Sequence, residues 1–366
     1  MELRTLAQFK KLHQLSSKRT LVLPEEEFFA SLDSIRSKIE SSTDQWVLIS
    51  HCEDQVSGFQ HLDQIQALNQ LAEELKDRVV IFVISVNKLV LNDLIYYYFF
   101  PEYHAIYWPL YKDMTPTYRL NDVTHKYLCL NKRGDPWRQV LYKKFWMDGL
   151  IDHSHFSYLC EDDNYGTLFH EPTWEANCKW ADKDFIPRFM PSLEGPWPEP
   201  KFRELPNDLL LDQYKTGTFD KDDDPTWTTD LALSLSSFCT IVIETDSGNE
   251  LVNISEKTIR ALALGQPLLV LGVNGTHQYL KDLGFDMLDD IIDNSFDQEP
   301  ELYARFCKFV SSIDKINHYT TGALQHVKCS VRKRLESNRI RVEELHTEMN
   351  ERGKEIVQDI LHKLNK

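Results

Sequence analysis

The sequence contains no apolar run approaching the roughly 18 residues that a membrane-spanning helix requires. It has no C-x-x-C pair, and its seven cysteines are scattered and odd in number. That pattern favours reduced thiols over a disulfide framework. No internal repeat or low-complexity tract interrupts it. The opening MELRTLAQFKKLHQLSSKR lacks the apolar core of a signal peptide, so a cytoplasmic location is expected. Positive charge is also in short supply: 41 Lys and Arg stand against 57 Asp and Glu, a net charge of −16. Such a surface repels nucleic acid on average and argues against a general DNA binder.

What is present is enough chain, 366 residues, for two domains. Residues 1–45 read as two helices, the second starting near Pro24, with Glu25–Glu27 in its first turn where acids suit the dipole. Trp46–Ser50 predicts a buried strand, Phe59–Leu75 an amphipathic helix, and the run VVIFVIS at Val79–Ser85 a strand buried on both faces. Alternation of this kind predicts a parallel sheet. The aromatic segment from Leu91 to Tyr111 reads as core and interdomain packing, or else as a sugar-stacking surface. Lys126–Asn131 predicts another strand, followed by a helix with Pro136 near its start and Gly149 at its end. From Lys126 to Lys144 there are six basic residues and one acid, Asp135, a focused cationic island in an acidic chain. His155–Cys160 is a further strand candidate, and residues 161–230 form an irregular insertion with several tryptophans and prolines.

The densest local signal runs from Cys239 to Gly272. Thr240–Glu244 is a short β-branched strand, and Thr245–Asn253 a polar loop. A helix capped by Asn253 or Ser255 then carries Ile259, Leu262 and Ala263 inward and ends at Gly265. Gln266-Pro267 leads into a second apolar strand, Leu268–Leu271. In open α/β sheets the loops at the carboxyl ends of strands are where ligands bind. Downstream, Thr276–Leu283 reads as a short helix, Asp289–Asp293 as an acidic turn, and the chain from Glu301 as helical. The last stretch repeats apolar residues from Val331 through Leu335, Val342, Leu345 and Met349 to Ile360, a seam for a second copy or for packing within the chain.

A strand ending in an acid, then [Ser/Thr]-Glu-Lys opening a helix, then Gly-x-Pro and a strand, resembles the donor-site motif of GT-B glycosyltransferases. The likeness is closest to their fucosyltransferase-like group. The matching residues are Glu244, Ser255-Glu256-Lys257, Gly265 and Pro267. The continuation from Gly275 to Asp297 is similar to a segment of phage and viral glycosyltransferase-like proteins, and Asn131 with Arg138 matches a strand-end and helix arrangement of the same group.

The resemblance implies two Rossmann-like domains facing a cleft, with 1–122 on the acceptor side, 123–328 holding the donor and 329–366 a long C-terminal helix. It implies sugar transfer from a nucleotide-sugar co-substrate to an acceptor hydroxyl, with inversion and without a metal, in the host cytoplasm if the source is viral. The acceptor would be a glycan or a hydroxymethylated base in phage DNA.

Expulsion of a diphosphate builds negative charge that fixed cations and helix N–H groups can neutralise. Lys257, Arg138 and Arg260 supply the charge, Glu256 suits ribose hydroxyls, and Glu244 and Asn131 are further donor-side candidates. A base for the acceptor hydroxyl is expected from the amino-terminal half, Glu53 with Glu102 in reserve. His153-x-His155 reads as structural, the Asp222-Asp223-Asp224 run as a solvated turn, and Gly272-x-x-Gly275 lacks the spacing of a dinucleotide fingerprint. The alternative is a noncatalytic binding or assembly protein on the same fold, forming oligomers through its C-terminal helix.

Overall fold

A computed structural model describes residues 20–24, 32–41, 46–51, 62–75, 79–85, 91–99, 123–131, 136–158, 231–244, 252 and 254–364. The chain is an α/β protein that divides into two units. One comprises Met1–Trp108, Asn249–Glu256 and Val342–Lys366, the other Pro109–Gly248 and Lys257–Arg341. Residues of the C-terminal helix up to Arg341 fall in the second unit and those from Val342 in the first. Among the described residues no helix is long and apolar enough to cross a membrane.

The first unit is built on four parallel strands in simple sequence order: β1 (Thr20–Pro24), β2 (Trp46–His51), β3 (Val79–Ser85) and β4 (Ile95–Phe99). Helix α1 (Leu32–Glu40) connects β1 to β2, and α2 (Leu62–Leu75) connects β2 to β3. Helix α2 buries Ile65, Leu68, Leu71, Ala72 and Leu75, one stripe at helical spacing. In β3 the neighbours Val80 and Ile81 are both buried, so both faces of that strand are covered, as its unbroken hydrophobicity predicts.

One expectation changes here. The residues up to Pro24 are not helical: Thr20–Pro24 is a strand paired in register with Val47–His51, and Glu25–Glu27 lie outside the described residues. Its run Thr-Leu-Val-Leu has the β-branched, apolar character of a strand, and Pro24, which lacks an N–H, stands at the strand's end. Within the aromatic segment, Ile95–Phe99 is a fourth strand paired with β3, which accounts for a run of tyrosines on a pleated surface.

The second unit holds β5 (His125–Asn131), α3 (Pro136–Met147), a 3-10 turn (Leu150–His153), β6 (Ser154–Tyr158), α4 (Leu231–Ser236) and β7 (Ser237–Ile243). These are followed by α5 (Glu256–Ala263), which the unit holds from Lys257 on, β8 (Leu268–Leu271), α6 (Thr276–Asp282), α7 (Leu302–Asn317), α8 (Thr321–Ser330) and α9 (Arg332–Leu364), which it holds as far as Arg341. Its four strands are parallel in the order β6-β5-β7-β8.

Every residue of β7 and of β8 is buried, the signature of strands with helices on both faces. Tyr127, Cys129, Ile241, Ile243, Leu269 and Leu271 face one core with Val140, Leu141 and Phe145 of α3 and Phe306, Phe309 and Ile313 of α7. The fully buried Tyr127 hydroxyl donates to the Ile313 carbonyl at 2.7 Å, so its polar end is satisfied inside that core. On the opposite face Leu128, Thr240 and Val242 meet α5, which buries Ile259, Leu262 and Ala263 as its spacing predicts.

Helix α5 stops where expected. Gly265 takes a φ of 60°, its N–H bonds to Leu262 and that of Gln266 bonds to Ala261, a Schellman closure that a Cβ would strain. Pro267 then cannot continue the helix. Along α9, Val331 just before it and Leu335, Val342, Leu345 and Met349 within it are buried inside the single chain.

A buried lysine closes the amino-terminal side of this sheet. Lys328 of α8, only 6% exposed, donates to Ser237 O at 2.5 Å and to Gln266 Oε1 at 2.9 Å, and reaches the Leu235 carbonyl at 3.4 Å. It thereby answers carbonyls left at the end of α4. Burial pushes its ammonium down to about 8 from an ordinary 10.5.

The folded state therefore resists the proton that the unfolded chain still holds between those two values. The cost is present at neutral pH and is relieved as pH rises through that window. Unfolding measured by denaturant from pH 7.5 to 10.5 is expected to show native stability rising by about 3 kcal/mol relative to Lys328→Met, which lacks the titrating group. Parallel pH curves for the two proteins would contradict it.

Candidate ligand site

The chain leaves β5 outward to β6, then returns past it to β7 and β8. Its order therefore reverses between β5 and β7. At such a reversal the loops leaving two adjacent parallel strands turn to opposite faces and open a crevice at the carboxyl edge. Among the described strands of the first unit the order runs straight through and no such reversal occurs.

Four side chains, from β5, the end of β7, α3 and α5, converge on this edge. Asn131 is the last residue of β5, 3% exposed, and its amide donates to Cys129 Sγ at 3.2 Å. Glu244 directly follows β7, 2% exposed, its backbone N–H bonded to Leu271 O at 2.9 Å. Arg138, in the first turn of α3, is also 2% exposed, and its Nη2 donates to the carbonyl of Ile243 at 2.8 Å. Thr258, in the first turn of α5 and fully buried, donates to Glu244 Oε1 at 2.6 Å.

A guanidinium and a carboxylate are thus held at consecutive residues of one strand end. Each makes charge-assisted hydrogen bonds, as buried ions require. Burial pushes the Cys129 thiol up to about 12, so nucleophilic sulfur chemistry at this edge is excluded near neutral pH.

Helix α5 opens at the same edge. Glu256 is its first residue, 7% exposed, and Lys257 its second, half-buried. Arg260 lies one turn further on, also half-buried. It lines with Lys257 a shallow recess over Leu128, Leu130, Thr240 and Val242. The two cations expected from sequence therefore flank one groove, while Arg138 serves the strand end itself. The first N–H groups of a helix have no carbonyl partner inside it, and with Lys257 beside them they suit an anion.

The neighbouring α6 offers no equivalent site, because the chain fills it. Asp297 Oδ1 and Oδ2 accept from the N–H groups of His277 and Gln278 at 2.9 and 3.1 Å. The carbonyl of Asp297 accepts from the Gly275 N–H at 3.1 Å and from the Asn274 amide at 3.0 Å.

The other sequence candidates divide clearly. Glu53, Glu102 and Asp222-Asp223-Asp224 lie outside the described residues, as does Asn253. His155 stacks on His125 with ring centroids 3.7 Å apart and meets Ser236 Oγ at 3.1 Å, while His153 closes the 3-10 turn. Among the described residues no three His, Cys, Asp or Glu side chains are grouped to hold a metal ion.

The acids of the turn at Asp286–Asp293 are paired. Asp286 and Asp290 share Arg334, Asp289 meets Lys281 and Asp293 meets Lys315. Thr258 and Asp297 are the residues that sequence reasoning did not single out. Thr258 left one trace, a β-branched residue where the start of a helix favours Glu or Gln.

The chain matches no protein-family model, no curated protein and no solved structure.

Close to this edge, His277 carries an acid-sensitive element. It is 1% exposed and T-stacked on Phe296. Its Nε2 lies 3.0 Å from the Val270 carbonyl, which can only accept, so the proton resides on Nε2. Nδ1 has no hydrogen-bond partner among the described residues. Burial holds the imidazole below its usual 6.5, against the pull of Asp297 and Asp289 and with a smaller push from Lys281.

The unfolded chain takes up a proton near 6.5 that the folded one refuses. The associated stability is fully present above that pH and is lost as pH falls below it. Urea unfolding from pH 7.5 to 5 is expected to show a steeper decline for the native protein than for His277→Asn, and equal slopes would refute the assignment.

Proposed function

We propose that the chain is a nucleotide-sugar-dependent glycosyltransferase of the GT-B type, with the second unit as its donor domain. One observation carries this proposal. The Glu-Lys pair opens a helix at the reversal of a parallel sheet, beside a buried arginine and a buried carboxylate at the end of the adjoining strand. That combination suits a ligand with a diphosphate and vicinal hydroxyls. Lys257 and the first N–H groups of α5 would face the diphosphate. Glu256 would accept from ribose hydroxyls. Arg138, occupied with Ile243 O, would hold the end of β7 and contribute its field rather than a direct contact.

Departure of the nucleoside diphosphate concentrates negative charge on one bridging oxygen. A cation and helix dipole already aimed at that position stabilise the transition state more than the ground state. The acceptor hydroxyl would give its proton to a carboxylate of the first unit, for which Glu53 is the sequence candidate. The acceptor would be a glycan or a hydroxymethylated base; a DNA acceptor requires a local concentration of cations in an otherwise acidic molecule.

Thermal-shift titration with UDP, GDP, CMP and dTDP and their sugars tests the donor assignment, since a ligand of the native state raises the unfolding temperature by mass action. Lys257→Ala is expected to weaken diphosphate binding roughly tenfold to a hundredfold and to lower turnover at least as much, with the fold unchanged. Undiminished binding and turnover would remove the proposal. Binding without any transfer would favour a noncatalytic nucleotide-binding protein.

A further inference from the structure

Residue 258 carries a choice that helix stability does not explain. Ser255 immediately precedes α5, so Thr258 occupies the third helical position, where Glu or Gln would close a capping box. Thr is a weak helix former, and its hydroxyl inside a helix normally turns back to a carbonyl of its own preceding turn. Here the hydroxyl leaves the helix and donates to Glu244 Oε1 at 2.6 Å, between residues 0% and 2% exposed. A bond to a carboxyl oxygen, shielded from water, is stronger and more directional than its exposed counterpart. A locally unfavourable residue that gains a tertiary bond is what a sequence tolerates at a functional position.

The bond has a counterpart on the preceding residue. Ile243 is held through its carbonyl by Arg138 of α3, and Glu244 through its carboxylate by Thr258 of α5. The helices that flank the strand reversal are thereby tied to consecutive residues of a single strand end.

We infer that Thr258 is a positioning residue for a nucleoside diphosphate, which rests on the reading of this edge as the donor site. Through Glu244 it sets the first turn of α5, and with it Lys257 and the helix N–H groups, against the end of β7. The hydroxyl is the operative group, not the volume of the side chain. Val, which matches Thr in shape but cannot donate, removes the tie. Ser, which loses a methyl but keeps the donor, preserves it.

Thr258→Val and Thr258→Ser are to be compared with the native protein by calorimetric titration with UDP and GDP, each protein's thermal unfolding being recorded alone. The native protein is expected to bind at least one of the two probes. The Ser variant is expected to stay within about threefold of it, and the Val variant to bind at least about tenfold more weakly, since displacement of a preorganised group by even 1 Å carries a large penalty. Should the Val variant fail to fold, Thr258→Cys takes its place, because a thiol is a weak donor of similar size to Ser; the same tenfold loss is expected.

If the non-donating variant binds as tightly as the native protein, or the Ser variant binds as weakly as Val, the positioning role is overturned while the donor site stands. If the native protein binds neither probe and none of the nucleotides or their sugars raises its unfolding temperature, the donor site itself is refuted and the inference with it.

Discussion

Seven consecutive residues of β7, Ser237 to Ile243, have no appreciable contact with water. A parallel strand in that position cannot satisfy its side chains with a single layer of helices. It needs α3 and α7 on one face and α5 on the other, and the connections that place them there make the strand order reverse beside β7. The crevice is therefore a by-product of burying one strand on both sides. The groups gathered there follow from the same requirement, because backbone and side-chain polar atoms emerging from a fully buried strand must find partners at its end. Arg138 and Thr258 provide two of them.

Much of this architecture was legible in the sequence because buried parallel strands are written as short, unbroken apolar runs. β3, β5, β7 and β8 all have that form, and Gly265 and Pro267 punctuate the last two. β1 was not legible for a specific reason. Pro24 followed by three acids fits the start of a helix as well as it fits the end of a strand, and only pairing with Val47–His51 distinguishes them. β4 was obscured by its tyrosines, which serve a pleated surface and a carbohydrate face equally well.

At the candidate site, the Glu-Lys pair is a local pattern and could be read. The role of Arg138 could not, because its partner, the carbonyl of Ile243, has no signature in side-chain identity. The bond from Thr258 to Glu244 and the capping of α6 by Asp297 depend on contacts across 14 and 20 residues that no local periodicity records.

The acidic character of the chain is handled locally. Arg334 grips Asp286 and Asp290 with two pairs of hydrogen bonds, and its guanidinium holds Asp286 below the ordinary carboxylate range. The Lys315 ammonium holds Asp293 down to about 2. Asn338, 2% exposed, exchanges two hydrogen bonds with the backbone of Asp286. The stretch that reads from sequence as an acidic turn is where α9 is fastened. The cations used there are committed to these acids and not to a ligand.

The carboxylate of Asp297 at the start of α6 also bears on how the molecule responds to simple anions. It belongs to the same chain and is held by four hydrogen bonds between its own atoms and residues 274–278. Its effective concentration at that helix end is on the order of millimolar or higher before any geometric advantage is counted. Sulfate or phosphate in a buffer must displace a tethered competitor to bind there, so common buffer salts are poor ligands for this helix end.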